Sequence, residues 1–312
     1  MIKRQIRTRT FTFFRIGLIT ITIVFVVSYI SLRKILYIDK DIQLEGKNML
    51  VLAKQIRKNL IEKLHAKHFT CTTKDKKKLN GLFIERKNAK ATLLLCHGYQ
   101  CCKEVNLGYI NMFPNCNAIT FDFRSHGENK HGITTIGCHE YKDVIAVAQW
   151  FKETHSEQKN KPFVIIGVSM GGAAALKAIK DEPMLCDALI IDSSYSSLKS
   201  IIHNTFVQKS GLPTFPFLPI MEKMWNYLGS CDINAMKPLD CVKTIKQPLM
   251  LIHSCVDSIV PVQESLLMYA QATNAGVKLW IGPECPHGWL HEKFPGIYKK
   301  KVESFLRKRI FA

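Results

Sequence analysis

Short runs of consecutive apolar residues alternate with helix-like stretches along most of the chain after residue 68. The runs lie at residues 68–72, 79–85, 91–97, 117–123, 162–168, 188–192, 248–253 and 277–281. Several are apolar throughout, such as TLLLC, FVIIG, ALIID and LMLIH, which is typical of parallel strands covered on both faces. Helical periodicity lies between them at residues 140–152, 171–180 and 262–274. The alternation predicts an α/β fold with a mostly parallel central sheet flanked by helices.

A different pattern occupies the start of the chain. Residues 16–32 carry no charge and as a helix would span about 25 Å, slightly less than the roughly 30 Å hydrocarbon core of a bilayer. Arg15 and the Arg33–Lys34 pair flank this segment and can extend their charged ends to the two membrane surfaces. We expect an uncleaved transmembrane anchor at residues 16–32, preceded by a basic N-terminus at residues 1–15. A cleaved signal peptide is the alternative, although no small-x-small cleavage site follows the apolar run.

Between the anchor and the first strand, residues 33–65 read as a basic juxtamembrane segment. An apolar stripe recurs there at three- and four-residue steps, formed by Met49, Leu52, Ile56, Leu60 and Leu64. The stripe predicts an amphipathic helix, with most lysines and arginines off the stripe. Two interpretations remain open: a basic helix on anionic lipid, or a solvated helix whose stripe packs on the following domain.

The charge distribution narrows the class of partner. The chain has 44 Lys and Arg against 25 Asp and Glu, a net charge of +19. Residues 1–90 hold 21 basic and 6 acidic side chains, and residues 299–309 hold 6 and 1, whereas residues 91–298 hold 17 and 18. Residues 91–298 are therefore almost neutral overall, whereas a domain that binds nucleic-acid phosphates is usually basic, so we expect no nucleic-acid partner. The basic ends instead favour a membrane surface.

The number and spacing of the cysteines indicate the redox state of the compartment in which the domain lies. There are 11, an odd number, and no CxxC pair occurs, which argues against a zinc site and against a regular disulfide framework. Reduced thiols in a reducing compartment are the simplest interpretation. The basic residues on the two sides of the anchor are nearly balanced, so they do not indicate on which side of the membrane the domain lies.

The clearest chemical motif is G-x-S-x-G at residues 167–171. The apolar run FVII precedes it and the helical stretch GAAALKAI follows it, the strand–turn–helix context that a nucleophile elbow requires. A sharp turn there would expose the hydroxyl of Ser169 at a helix N-terminus, where the helix dipole favours a developing negative charge.

A serine nucleophile needs a base, and the base needs a carboxylate to orient it. His287 follows the run KLWIG and Asp257 follows the run LMLIH, so both are expected at the carboxyl ends of late strands. The chain order Ser169, Asp257, His287 matches neither chymotrypsin nor subtilisin, and is the order of α/β-hydrolases.

Other motifs carry the same resemblance, and over about residues 65–310 the chain is similar to the α/β-hydrolase superfamily. LLCHGY at residues 94–99 resembles the family's HG-x loop, and DFRSHG at residues 122–127 resembles its D-x-R-G-H-G turn, with Ser125 in place of a glycine. The resemblance implies that the backbone N–H groups of Tyr99 and Met170 form the oxyanion hole. The anchor and short lid are similar to single-pass membrane hydrolases and to the serine aminopeptidase-like branch.

Several residues compete for these roles. Asp192, after the run ALII, is a second candidate for the acid, and His291 is a second candidate for the base. We interpret His97 as a structural loop residue, and Asp122 with Arg124 as a pair that braces a turn. Cys96, Cys101 and Cys102 lie near the oxyanion loop and could supply a second nucleophile, although buried cysteines are commonly small hydrophobes.

The hydrolase domain is expected to span residues 66–312, with a lid inserted at residues 194–247. The lid segment is rich in apolar and aromatic residues and is broken by prolines. We expect Phe217, Met221 and Trp225 to form an apolar wall for an acyl substrate, or to make ordinary core contacts with the sheet.

Together these features predict a serine hydrolase that cleaves an acyl ester or thioester near a membrane, without metal or organic cofactor. The alternatives are a serine peptidase acting on short peptides, and a catalytically silent membrane-tethered binding module.

Overall fold

The computed structural model describes residues 2–38, 43–44, 47–129, 132–274 and 276–309. Within these residues a sheet of eight strands forms the centre of the domain. The strands are β1 (Lys67–Thr72), β2 (Lys78–Ile84), β3 (Thr92–Cys96), β4 (Asn117–Phe121), β5 (Phe163–Val168), β6 (Ala188–Asp192), β7 (Leu249–Ser254) and β8 (Lys278–Gly282). Each coincides within two residues with one of the apolar runs in the sequence, which confirms the α/β prediction.

The spatial order of the strands is β8-β7-β6-β5-β3-β4-β2-β1. Strands β3 to β8 are parallel to one another, and β2 runs antiparallel to its neighbours β1 and β4. Strands β3, β4, β6 and β7 are buried along their whole length, because helices cover both faces of a largely parallel sheet.

The helices are α1 (Ile2–Leu36), α2 (Met49–Leu64), α3 (Leu107–Met112), α4 (Tyr141–Thr154), α5 (Met170–Asp181), α6 (Leu198–Ser210), α7 (Phe217–Leu228), α8 (Pro238–Val242), α9 (Gln263–Gln271), α10 (Leu290–Lys293) and α11 (Pro295–Arg309). Helices α4, α5, α8 and α9 pack on one face of the sheet. Helices α2, α3 and α11 pack on the other. The predicted lid contains α6, α7 and α8.

Helix α1 is longer than the uncharged segment and ends inside the domain. Its apolar part, Phe14–Leu36, is long and apolar enough to cross a membrane. Leu32 and Leu36 are buried in the same core as α4 and α5, and the carbonyl of Leu36 accepts a hydrogen bond from the N–H of Thr134 at 2.9 Å. The end of the predicted anchor is therefore also a core element of the domain.

Helix α2 packs its apolar stripe on the domain. Leu60 is fully buried, and Ile56 and Leu64 pack against the core beneath it. The guanidinium of Arg57 forms ion pairs with Glu104 and Glu128. The second interpretation of this helix, a stripe packed on the domain, is the one that the structure supports.

A fully buried lysine lies beneath α2. The ammonium of Lys103 is 2.7 Å from Oδ2 of Asp122 and 2.8 Å from Oε2 of Glu128, and the Lys103 side chain is 0% exposed. The backbone N–H of Lys103 also donates to Oδ1 of Asp122 at 2.8 Å. These bonds compensate for the removal of both charges from water.

Replacement of Lys103 with Met should therefore destabilise the chain strongly. The carboxylate of Asp122 would stay buried without its cation, which costs about 3–5 kcal/mol. The full chain in detergent would be unfolded with urea and followed by circular dichroism. Lys74→Met is the matched control, because Lys74 pairs with Glu182 on the surface and exposed pairs contribute only about 0–1 kcal/mol. Equal loss of stability in the two variants would contradict the prediction.

Candidate active site

Ser169 sits at the sharp turn between β5 and α5. Its φ is +53° and its ψ −117°, a conformation that costs a non-glycine residue about 1–3 kcal/mol. Three hydrogen bonds stabilise the turn. The N–H of Ser169 donates to the carbonyl of Asp192 at 2.8 Å, while its carbonyl accepts from the N–H of Ala173 at 3.1 Å and from Oγ of Ser194 at 3.0 Å. The predicted elbow geometry is present.

The glycines of the motif allow the backbone to pack closely at this turn. A Cβ on Gly167 would lie 2.6 Å from the carbonyl oxygen of Gly171. A Cβ on Gly171 would collide with the carbonyl oxygens of Cys96 and His97. Only glycine fits at both positions, because real Cβ atoms do not approach backbone so closely.

A histidine–carboxylate pair lies on two loops at the same edge of the sheet. Nδ1 of His287 is 2.7 Å from Oδ2 of Asp257. Oδ1 of Asp257 accepts from the N–H groups of Ile259 and Val260, each at 2.9 Å. Because a carboxylate only accepts, we assign the proton to Nδ1, which leaves Nε2 of His287 able to act as a base.

The Asp257 side chain is 0% exposed, and His253 also contacts it, with Nε2 3.4 Å from Oδ2. Burial acts to raise the pKa of Asp257, but hydrogen bonds to His253 and His287 outweigh it and hold that pKa well below its usual range. Asp257 is therefore ionised at neutral pH, as an orienting carboxylate must be.

The loop that carries His287 and the HG-x loop both pass close to Ser169. A Cβ on Gly288 would lie 3.0 Å from Cγ1 of Val168, so the loop that carries His287 passes beside the residue before Ser169. A Cβ on Gly98 would lie 3.6 Å from Cβ of Ser169, so the HG-x loop, and with it the backbone of Tyr99, also passes beside Ser169.

The backbone N–H of Met170 is available to a ligand for a general reason. Met170 is the first residue of α5, and the first N–H groups of a helix have no acceptor within the helix. The side chain of Tyr99 is anchored away from the site, because its hydroxyl donates to the carbonyl of Ile35 in α1 at 2.7 Å. The two predicted oxyanion donors therefore belong to backbone segments that adjoin Ser169.

Comparison with known proteins identifies the family. Residues 121–310 match the model of the prolyl oligopeptidase family. The chain belongs to this family. It is a hydrolase of the α/β-hydrolase superfamily, and the matched region contains Ser169, Asp257 and His287.

Individual relatives cover most of the chain. The esterase Pf2001 of Pyrococcus furiosus is 26% identical with a TM-score of 0.68, covering 89% of this chain and 98% of that one. YqkD of Bacillus subtilis is 23% identical over 73% of this chain and 75% of its own length. The membrane protein YNL320W of Saccharomyces cerevisiae is 24% identical over 70% of this chain and 72% of its own.

The competing acid and base have other partners. The carboxyl of Asp192 accepts from the hydroxyls of Ser193 at 2.9 Å and Tyr109 at 3.5 Å, and burial raises its pKa. The ring of His291 stacks on Tyr109 with centroids 4.1 Å apart, and burial lowers its pKa to about 4. The geometry therefore favours Asp257 and His287 for the acid and base.

The surroundings of His97 and of the neighbouring cysteines favour a structural role. His97 is fully buried, with Nδ1 2.7 Å from the carbonyl of Gly98 and Nε2 accepting from the N–H of Phe123. Burial raises the pKa of the Cys101 thiol to about 11, and burial raises the pKa of Cys96 and Cys102 still further. Thiols that stay protonated at neutral pH are poor nucleophiles.

Asp122 and Arg124 do not pair with each other as we expected. Asp122 binds Lys103, whereas the guanidinium of Arg124 binds Asp143 at 2.6 Å and Asp75 at 2.8 Å. Both brace the turn after β4, but through separate partners. Lys103 and Asp143 were missed in the sequence, because nothing in their local pattern marks a buried charge.

The three residues expected to bind substrate lie at the junction between the lid and α1. Met221 and Trp225 are buried and, with Leu32 and Leu218, line a cavity of about 10 Å³. A cavity of that size holds about one water molecule. The ring of Phe217 packs against Phe206 at 6.0 Å. Their role as an acyl wall stays a prediction.

Two substitutions separate the candidate acids. Asp257→Asn should lower kcat for an activated ester by about 10⁴-fold, because the amide favours the wrong tautomer of His287. Asp192→Asn, at a buried carboxyl of the same edge, should lower kcat by less than about tenfold, because its hydroxyl partners are not the base. Steady-state kinetics on the two full-length variants would measure kcat for the same activated ester. A larger loss with Asp192→Asn would transfer the acid role to that residue.

Proposed function

We propose that this chain is a membrane-anchored serine hydrolase that cleaves acyl esters or thioesters through an acyl-enzyme on Ser169. The observation that carries the proposal is the 2.7 Å bond between His287 and Asp257, on loops that meet the strained turn of Ser169. The similarity to the Pf2001 esterase, at 26% identity over nearly the whole of that chain, supports an ester substrate.

In the proposed mechanism, Oγ of Ser169 attacks the acyl carbonyl while Nε2 of His287 takes the hydroxyl proton. The N–H groups of Met170 and Tyr99 hold the oxyanion, and Asp257 stabilises the imidazolium. His287 then gives the proton to the leaving alcohol or thiol as the acyl bond breaks. Water, deprotonated by His287, releases the carboxylic acid and restores Ser169.

The membrane part of the proposal rests on α1, whose apolar length suits a bilayer. All eleven cysteines are free thiols, which supports a catalytic domain in a reducing compartment. Protease accessibility of the domain in sealed membranes would establish the side.

A fluorophosphonate probe tests the nucleophile. The full-length chain should be labelled, and Ser169→Ala should abolish labelling and lower kcat by at least about 10⁴-fold. Ser210→Ala, at the end of α6, is the matched control and should label normally. Circular dichroism of each variant confirms folding. Undiminished labelling of Ser169→Ala would refute the assignment.

Peptide hydrolysis is the second candidate, because the matching family is named for an oligopeptidase. Among the residues described in the lid, Glu222 forms an ion pair with Lys199, so its carboxylate already has a cationic partner within the lid. A panel of p-nitrophenyl esters, acyl thioesters and peptide p-nitroanilides separates the two. We expect kcat/KM for the best ester or thioester to exceed that for any amide by at least about 100-fold. The reverse order would establish a peptidase, and a folded chain without labelling or turnover would indicate a silent binding module.

A further inference from the structure

Helix α1 stands clear of the domain for only part of its apolar span. Phe14–Leu36 comprises 23 residues, about 35 Å of helix. Residues 14–23 are exposed on every side, but they account for only about 15 Å. From residue 24 onward, one face of the helix is covered at three- and four-residue intervals. A hydrocarbon core of roughly 30 Å must therefore extend past the point where the domain begins to cover α1.

The opposite face of α1 shows how far the membrane extends. Val26, Tyr29 and Ile30 point away from the domain and are 48%, 45% and 48% exposed. The next exposed residues along the helix are the cations Arg33 and Lys34, which belong at a membrane surface. The apolar surface thus ends near Arg33, about 7.5 Å of helix beyond Ser28.

The lid helix α7 runs parallel to α1. Oγ of Ser28 donates to the carbonyl of Phe217, the first residue of α7, at 3.4 Å. At the other end, Leu36 binds Thr134, and the neighbouring Thr135 lies beside Gly229, where a Cβ would be 3.5 Å from its Cγ2. The start of α7 therefore lies toward the membrane, at the level of Ser28.

The segment that precedes α7 is the α6–α7 loop, residues 211–216. Phe215 in this loop is 77% exposed, and Val207 in the last turn of α6 is 39% exposed. Lys209, two residues after Val207 in the same turn, is exposed as well. An exposed phenylalanine in a loop that follows a helix with an exposed lysine in its last turn, near the level at which an apolar helix leaves the domain, suits a lipid leaflet.

We infer that the α6–α7 loop inserts Phe215 into the same lipid leaflet that α1 enters. The hydrogen bond from Ser28 to Phe217 brings the end of the loop to the level of Ser28 on α1, within the part of the helix whose outer face is apolar and exposed, so one leaflet can cover both. The inference rests on the membrane anchoring proposed above, but not on the chemistry of Ser169. It places the lid of the candidate active site in contact with lipid, and so deepens the proposal of a membrane-dissolved acyl substrate.

Tryptophan fluorescence in vesicles tests the insertion. The full-length Phe215→Trp variant is reconstituted in phosphatidylcholine vesicles with or without brominated acyl chains, which quench only tryptophans at membrane depth. The signal of the parent chain, with its four tryptophans, is subtracted. Met184→Trp is the matched control. Met184 is 88% exposed and lies in the loop between α5 and β6, at the amino-terminal ends of the parallel strands, whereas the candidate site lies at their carboxyl ends.

We expect brominated lipid to remove about half or more of the fluorescence added at position 215, which would lie among the acyl chains, and less than about a tenth of that added at position 184, which would stay in water. Thr214→Trp, in the same loop, repeats the measurement if Phe215→Trp does not fold. Equal quenching at positions 215 and 184, or no quenching at the loop in vesicle-bound protein, would overturn the inference.

Turnover supplies a separate readout. Phe215→Ser should lower the rate on a long-chain ester dissolved in vesicles by about fivefold or more, because the lid loses the apolar side chain that would be buried in the leaflet. The rate on a short water-soluble ester should not change. Loss of both rates alike would contradict a membrane role for Phe215. If the chain cleaves neither ester, the proposed function fails while the quenching result stands.

Discussion

Ser169 holds a left-handed backbone conformation, and the packing of three neighbouring strands keeps it there. The turn can exist only because Gly167 and Gly171 let β5 and α5 approach each other and the loop after β3 without a Cβ between them. The bond from Ser169 N–H to Asp192 ties the same turn to β6. The candidate site thus depends on close backbone packing at the middle of the sheet, which the fully buried strands on either side make rigid.

The candidate acid and base, Asp257 and His287, follow two further strands of the same sheet. β7 and β8 are parallel to β5 and continue the sheet through β6, so the loops that follow them meet beside Ser169. Asp257 keeps its charge because two backbone N–H groups and two histidines surround it. The ionised carboxylate depends on its own hydrogen bonds, whereas the strained turn depends on close packing together with its bonds to Asp192, Ala173 and Ser194.

The sequence predicted the elements that depend on local pattern. Apolar runs located all the strands of the described sheet, and the G-x-S-x-G motif located the elbow, because each is a property of adjacent residues. Asp257 and His287 were proposed because each follows a strand, but Asp192 follows one too, so strand position alone left two candidate acids. The burial of Lys103 was not predicted, because it depends on carboxylates that lie 19 and 25 residues away along the chain.

The location of Met221 and Trp225, which we expected at an acyl wall, also depends on a distant part of the chain. Their apolar character is visible in the sequence, but the surface that they cover is set by Leu32 in α1, almost two hundred residues earlier. An apolar segment that looks like a simple membrane span carries no local sign that its last turns belong to a protein core.

That dual role of α1 bears on how the domain is attached. Leu32 and Leu36 are buried among residues of the lid and of the sheet-covering helices, and Ile35 holds the side chain of Tyr99. A protease that cut the connection after residue 38 would break the covalent link but leave α1 seated in its groove. Release of the domain would then require the helix to be withdrawn, uncovering Trp225 and freeing Tyr99. Helix α1 is held by packing as well as by the peptide chain, so its withdrawal would also disturb the contacts that position Trp225 and Tyr99.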